Sequence, residues 1–288
     1  MQRKMLGLFL GFFTPTLLAG NLDGALRLLK EGQHAQAMKI IREQAKKGDA
    51  EAEYYLGVAY LEGVGVDKNL EEALRLIKSA AIQEYPQAQL AMGNLFRIGA
   101  FGSAHYLRAI EWYTLAANQG LAEAQHTLGH AYTNGVGVPV NYETALQWYR
   151  KAAAQGQAIS QNNIGWAYQN GFGVGKDYRE AVKWFRLAAD QHQVNALNNL
   201  ALAYDDGQGV EANPAEAVRL WQIAVDLGYS SAQNNLGLAY EFGKGVSRDT
   251  AKALALFKLS AEQGDPNGTV NYNRLRQALV PANRDTMR

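Results

Sequence analysis

The 288-residue chain has no cysteine. This excludes a disulfide framework, thiolate zinc sites and cysteine nucleophiles, and it leaves an exported chain independent of oxidative folding. An excess of one charge is missing too. A formal net charge of +1 supplies no concentrated basic face of the kind that neutralises nucleic-acid phosphates. Long apolar runs are absent beyond the N-terminus, and nothing after it approaches the roughly 20 residues that span a bilayer. At the start, Arg3 and Lys4 precede the apolar run Met5 to Phe13, Pro15 breaks it, and Leu17-Leu18-Ala19-Gly20-Asn21 offers small residues for cleavage. This pattern predicts a signal peptide over residues 1–20, cut after Ala19 or Gly20, and so a periplasmic or secreted bacterial protein with no stable membrane insertion after cleavage. No cysteine follows Gly20, which argues against a lipoprotein anchor.

What the chain does have is a period. Gly57, Gly93, Gly129, Gly165, Ala201 and Gly237 recur every 36 residues, the mark of stacked units rather than of ordinary globular domains. Six units begin near Asp49, Tyr85, Leu121, Gln157, Gln193 and Tyr229. In each, residues such as Ala52, Leu56, Gly57 and Tyr60 share one face of a first helix by their three- to four-residue spacing. A glycine within a helix costs about 1 kcal/mol relative to alanine, so the column is read as a point where a neighbouring helix crosses closely. Paired glycines follow, as at Gly63 and Gly65 or Gly171 and Gly173, and permit a helix stop and a tight bend. A phosphate cradle would need a preceding strand and a Lys-Ser/Thr or dinucleotide pattern after it, and neither is present.

A second helix starts at the capping column Asn69, His105, Asn141, Asp177, Asn213 and Asp249, five of which can accept from free helix N–H groups. It carries small residues such as Ala73 and Ala181, then bulky ones: Tyr113, Tyr149, Phe185, Trp221 and Phe257 are expected in the core, with Trp112, Trp148 and Trp184 partly at the surface. Residues 21–48 read as a degenerate capping unit of two short helices. The six repeats occupy 49–264, and 265–288 form a polar-faced cap helix and a tail, because Asn273 and Arg276 replace the small residue and the tyrosine that docking needs. The fold class is all-α, a solenoid of helix-turn-helix repeats.

The pattern Ala-Gln-Xaa-Xaa-Leu-Gly-Xaa-Xaa-Tyr, then Gly-Xaa-Gly-Val, then Ala-Xaa-Xaa-Trp-Tyr-Xaa-Xaa-Ala-Ala resembles the Sel-1-like repeats, relatives of the tetratricopeptide repeats. Gln125, Leu128, Gly129, Tyr132, Gly135, Gly137, Val138, Ala145, Trp148, Tyr149, Ala152, Ala153 and Gly156 carry it in one unit alone. The second unit departs from it, with Gly99-Ala100-Phe101-Gly102-Ser103-Ala104-His105 as its connector. The resemblance implies a right-handed superhelix whose first helices line a concave side, and scaffolding or inhibitor roles, often in bacterial envelopes. Cysteine-rich members have been linked to β-lactam binding or hydrolysis, and the lack of cysteine here removes that tie.

Function in such an array resides in a surface, so first-helix residues that packing does not explain are the candidates. Asn162-Asn163, Asn198-Asn199 and Asn234-Asn235 fill the same two slots in consecutive units, although asparagine is a poor mid-helix residue. The second column, Asn163, Asn199 and Asn235, is expected to bond a neighbouring unit, and the first, Asn162, Asn198 and Asn234, to face a partner. By the family geometry the same groove includes Tyr54, Leu90, Asn94, His126, His130, Trp166, Leu202, Leu238 and Phe242. Glu51, Glu53, Glu62, Glu123, Asp205, Asp206 and Glu241 against Arg97 give it an acidic sign, suited to a basic or polar protein segment. His126 and His130 stand four apart beside Glu123, but two histidines are too few for a metal site, and a polar contact patch is the reading taken. No cofactor is implied, and no nucleophile, base and orienting group stand together. The expected role is an exported module that binds a protein in its groove, either as inhibitor or immunity protein of a secreted effector or as envelope scaffold. The rival is a cell-wall or β-lactam hydrolase, for which the sequence offers no catalytic set.

Overall fold

The computed structural model describes residues 22–279. The export-signal expectation over residues 1–20 and the tail from Pro281 lie outside the described residues. Fifteen helices and no strands occur among the described residues: α1 Asp23–Lys30, α2 His34–Lys46, α3 Ala50–Glu62, α4 Leu70–Ile82, α5 Pro86–Ile98, α6 Tyr106–Asn118, α7 Ala122–Asn134, α8 Tyr142–Ala154, α9 Ala158–Asn170, α10 Tyr178–Ala189, α11 Val194–Asp206, α12 Pro214–Asp226, α13 Ser230–Phe242, α14 Thr250–Glu262 and α15 Pro266–Leu279. Successive helices pair as a repeat solenoid. They gather in two compact units, one ending at Asn141 and the other beginning at Tyr142. None of the described helices is long and apolar enough to cross a membrane.

Helix starts follow from local chemistry. Asn69, Asp177, Asn213 and Asp249 each accept a hydrogen bond from a backbone N–H in the first turn of the second helix they precede. His105 makes no such bond. The mid-helix glycines mark close crossings within a repeat. A Cβ placed at Gly93 would lie 2.3 Å from the Tyr113 ring, and one at Gly165 or Gly237 would lie 2.6 Å from Phe185 or Phe257. The aromatic column Tyr113, Tyr149, Phe185, Trp221 and Phe257 is buried, as the spacing predicts, and Trp112, Trp148 and Trp184 are half-buried. Each buried ring removes on the order of 150–250 Å² from water, which at Tyr113, Phe185 and Phe257 offsets the weak helix propensity of the glycine beneath.

The second glycine of each connector has a further role. A Cβ on Gly209 would meet the carbonyl oxygen of Tyr178 at 2.1 Å, and one on Gly245 that of Pro214 at 2.2 Å. Gly65, Gly137 and Gly173 meet His34, Tyr106 and Tyr142 in the same way. The connector thus sits on the first residue of the preceding repeat's second helix, and only a residue without a side chain allows that approach. In the second repeat Phe101 takes this place, and its ring packs on Phe96 with centroids 4.6 Å apart.

Glutamines tie repeat to repeat. Gln89 and Gln125 donate to the carbonyls of Ala81 and Ala117 in the preceding second helix at 3.3 and 3.1 Å. Gln119, Gln191 and Gln263 then donate to Gln89, Gln161 and Gln233 within their own repeats. Leu197 and Leu227 stand at the two corresponding positions of the fifth repeat, so the polar pair is exchanged as a pair.

Candidate protein-interaction surface

Successive first helices meet along a seam, and one column of side chains fills it. Asn199 donates to the Asn162 side-chain oxygen at 3.0 Å, Asn235 to Asn198 at 2.8 Å, and Asn271 of the cap helix α15 to Asn234 at 2.8 Å. Asn162, Asn198 and Asn234 retain only 7%, 7% and 5% of their accessible surface. The expectation that this column faces a partner is therefore corrected: its side-chain oxygens accept from the next repeat along, where a buried acceptor left unpaired would cost about 1–3 kcal/mol. Tyr54 and Leu90 occupy the same helical position in earlier repeats and are 0% and 1% exposed, and Asn94 is buried as well. These three are also removed from the exposed surface.

One helical turn further on, and two turns on at Phe242, the side chains emerge. Trp166 is 39% exposed and Phe242 69%, while Leu202 and Leu238 are half-buried. Leu202, Leu238 and Phe242 come together in the second unit around a cavity of about 230 Å³, with Trp221, Asn235 and Ala239 in its wall. The Trp221 indole N–H is buried without a hydrogen-bond partner. Trp166 leans on Phe172 at 4.8 Å, and Phe172 stacks on Tyr142 at 4.6 Å and 26°. Phe172 escapes a column-based reading because it lies in the connector, where the other repeats carry small or polar residues.

The acidic sign expected of this face is reduced in the second unit. Glu241 is 6% exposed and held by two hydrogen bonds from Arg274 of α15, at 2.7 and 2.6 Å. Asp205 pairs with Lys244 at 2.8 Å, and Glu53 accepts from Gln83. Of the carboxylates counted as a field in the sequence, Asp205 and Glu241 are thus compensated by cations within the second unit.

In the first unit, Asn94, His126 and His130 line a second cavity, of about 460 Å³, together with Arg97, Tyr113 and Glu123. Burial lowers the His126 pKa to about 4, assisted by His130, so its ring is neutral at pH 7. Burial raises that of Glu123: the carboxyl reaches solvent but is flanked by protein in the cavity wall. No group of three metal-ligating side chains occurs among the described residues.

Paired helices stacked through small-residue crossings, with apolar side chains left outside the stack, define an α-solenoid interaction scaffold. The chain belongs to the Sel1 repeat family, whose model matches residues 50–85, 86–121, 122–157, 158–192, 194–229 and 230–265. Among solved structures it is similar to c5321, a protective antigen of uropathogenic Escherichia coli with an SLR fold, at 34% identity and a TM-score of 0.77 over 85% of this chain. The chain spans 53% of that protein's length. It is similar as well to a Sel1 repeat protein from Oxalobacter formigenes, at 29% identity and a TM-score of 0.76, covering 84% of this chain and 97% of the other. An immunity protein of Pseudomonas aeruginosa, at 19% identity and a TM-score of 0.46 over 75% of this chain and 84% of its own, is too distant to lend its role. No curated protein matches the chain.

Proposed function

We propose that this chain is an exported adaptor or inhibitor that binds one protein partner through the first-helix face of its second unit. The observation that carries the reading is the exposure of Trp166 and Phe242 beside half-buried Leu202 and Leu238. These are large apolar groups that the stack leaves unburied, and aromatic anchors of this kind dominate interface energetics. The cavity beneath Leu202 and Phe242, about 230 Å³, is below the roughly 300–1,000 Å³ of small-molecule pockets. It suits a single apolar side chain of a protein. With Asp205 and Glu241 paired to cations, the partner's main contribution is an apolar anchor with polar flanks rather than a basic segment. The export pattern in the N-terminal sequence supports an encounter in the periplasm or outside the cell, with a secreted effector to be blocked or an envelope component to be positioned as the partner.

Affinity capture from the envelope of the producing cell tests this, comparing wild type with Trp166→Ala/Phe242→Ala at matched helicity. One dominant partner recovered by the wild type and lost from the variant is the expected result, and equal recovery by both would sink the assignment of this face. Assaying the recovered partner with and without this protein separates the two roles: an effector loses its activity at about one to one, whereas a scaffolded component keeps it.

A further inference from the structure

The cavity between α5, α6 and α7 in the first unit is built differently from the apolar one in the second. Its size, about 460 Å³, falls within the roughly 300–1,000 Å³ of small-molecule sites. The guanidinium of Arg97 on its wall is set in place from behind: its Nε donates to the Tyr113 hydroxyl at 3.3 Å, and that hydroxyl donates to Asn94 at 2.9 Å. Tyr113 and Asn94 are buried at 2% and 7% exposure, so the orienting pair has little freedom to move. Arg97 has no carboxylate partner among the ion pairs of the described residues, and neither does Glu123 have a cation. The two opposite charges line one cavity without meeting each other. Ile110 and Val136 supply an apolar wall between polar groups.

We propose that this cavity binds a small dipolar ligand, an amino acid or short peptide whose free carboxylate meets Arg97 and whose ammonium meets Glu123. A planar guanidinium held in one orientation suits a carboxylate, which it grips through paired N–H groups. A ligand of one sign gains at one side chain and is repelled at the other, so the pair selects molecules that carry both signs. The apolar wall takes the side chain. This site is separate from the protein-binding face and does not depend on it.

Calorimetric titration of the purified chain with Ala-Phe dipeptide tests the proposal, alongside the C-amidated and N-acetylated dipeptides and free phenylalanine. The free-ended dipeptide binds saturably, and amidation or acetylation each weakens it by roughly tenfold or more, the scale of a lost charged hydrogen bond. Glu123→Gln, at an exposed side chain, reproduces the loss on acetylation and abolishes the difference between free and acetylated peptide. Arg97→Lys, which keeps the charge but not the fork, weakens the free peptide and leaves the amidated one unaffected. Tighter binding of phenylalanine than of the dipeptide identifies an amino-acid site, and the reverse a peptide site; either supports the dipolar reading. No saturable binding of either free-ended probe at millimolar concentration, or equal binding of free and blocked peptides, overturns it.

Discussion

Replacing Gly209 by alanine is expected to lower stability by at least about 3 kcal/mol, whereas the same change at Gly228 costs only about 1 kcal/mol. Both glycines have positive φ, at 75° and 82°, so the backbone strain is common to the two substitutions. They differ in what a methyl group would meet. Around Gly228 nothing lies within 4 Å of the added Cβ, while at Gly209 it falls 2.1 Å from the Tyr178 oxygen and 2.3 Å from the carbonyl carbon. Those atoms are backbone at the start of α10, held by the Asp177 cap, so relief requires the connector to lift off the preceding repeat. A loss of this size corresponds to a fall in Tm of roughly 6–12 °C for a chain of this length, readable by thermal or urea unfolding. Equal effects at the two sites would contradict the docking role of the second connector glycine.

Acidification should weaken the fold through His126. Its ring takes a proton in the unfolded chain near the ordinary histidine pKa of about 6.5, but in the folded chain only at about 4. The folded pKa is depressed, so above about pH 6.5 the ring is neutral in both states and contributes no pH dependence. As pH falls towards 4 the unfolded state gains the proton first, and stability drops by at most about 3 kcal/mol. The raised carboxyls of Glu51, Glu62 and Glu123 act in the opposite direction, since they favour the folded state as they protonate. Comparison with His126→Gln isolates the ring from them. Between pH 7 and pH 4.5 the variant should gain on the wild type by about 1–3 kcal/mol in urea unfolding. A difference between the two proteins that stays constant with pH would mean that the ring is not desolvated in the fold.

What repetition exposes in this sequence is whatever each repeat does for itself. Helix limits, capping residues, the glycine crossings and the buried aromatic column all recur at 36 residues, and each depends on contacts inside one helix pair. The candidate site depends instead on how one repeat rotates against the next. Asn199 reaches Asn162 and Asn235 reaches Asn198 across 37 residues, one position off the period, an offset set by stacking and invisible in any single column. For the same reason Trp166 and Asn162, four residues apart on one helix, exchange the roles an amphipathic reading gives a polar and an apolar residue: the amide is enclosed in the seam and the indole is left outside. Compensation of Glu241 by Arg274 likewise joins a repeat to its cap. One more contact inside a helix pair follows the same period. The Gln-Gln pair gives way to Leu197 and Leu227 together in the fifth repeat, a substitution that acquires meaning only once the structure shows the two positions in contact.

The central claim is that the asparagine seam holds the repeats together while the apolar side chains beside it bind the partner. Stability and partner affinity measured on the same two variants test it most directly. Trp166→Ala/Phe242→Ala should weaken the captured partner by about 30-fold or more at unchanged Tm. Asn198→Ala should lower stability by about 1–2 kcal/mol and leave the dissociation constant as it is. The reverse pattern, with affinity lost on removing the asparagine at unchanged stability and retained without the aromatic pair, would contradict the account.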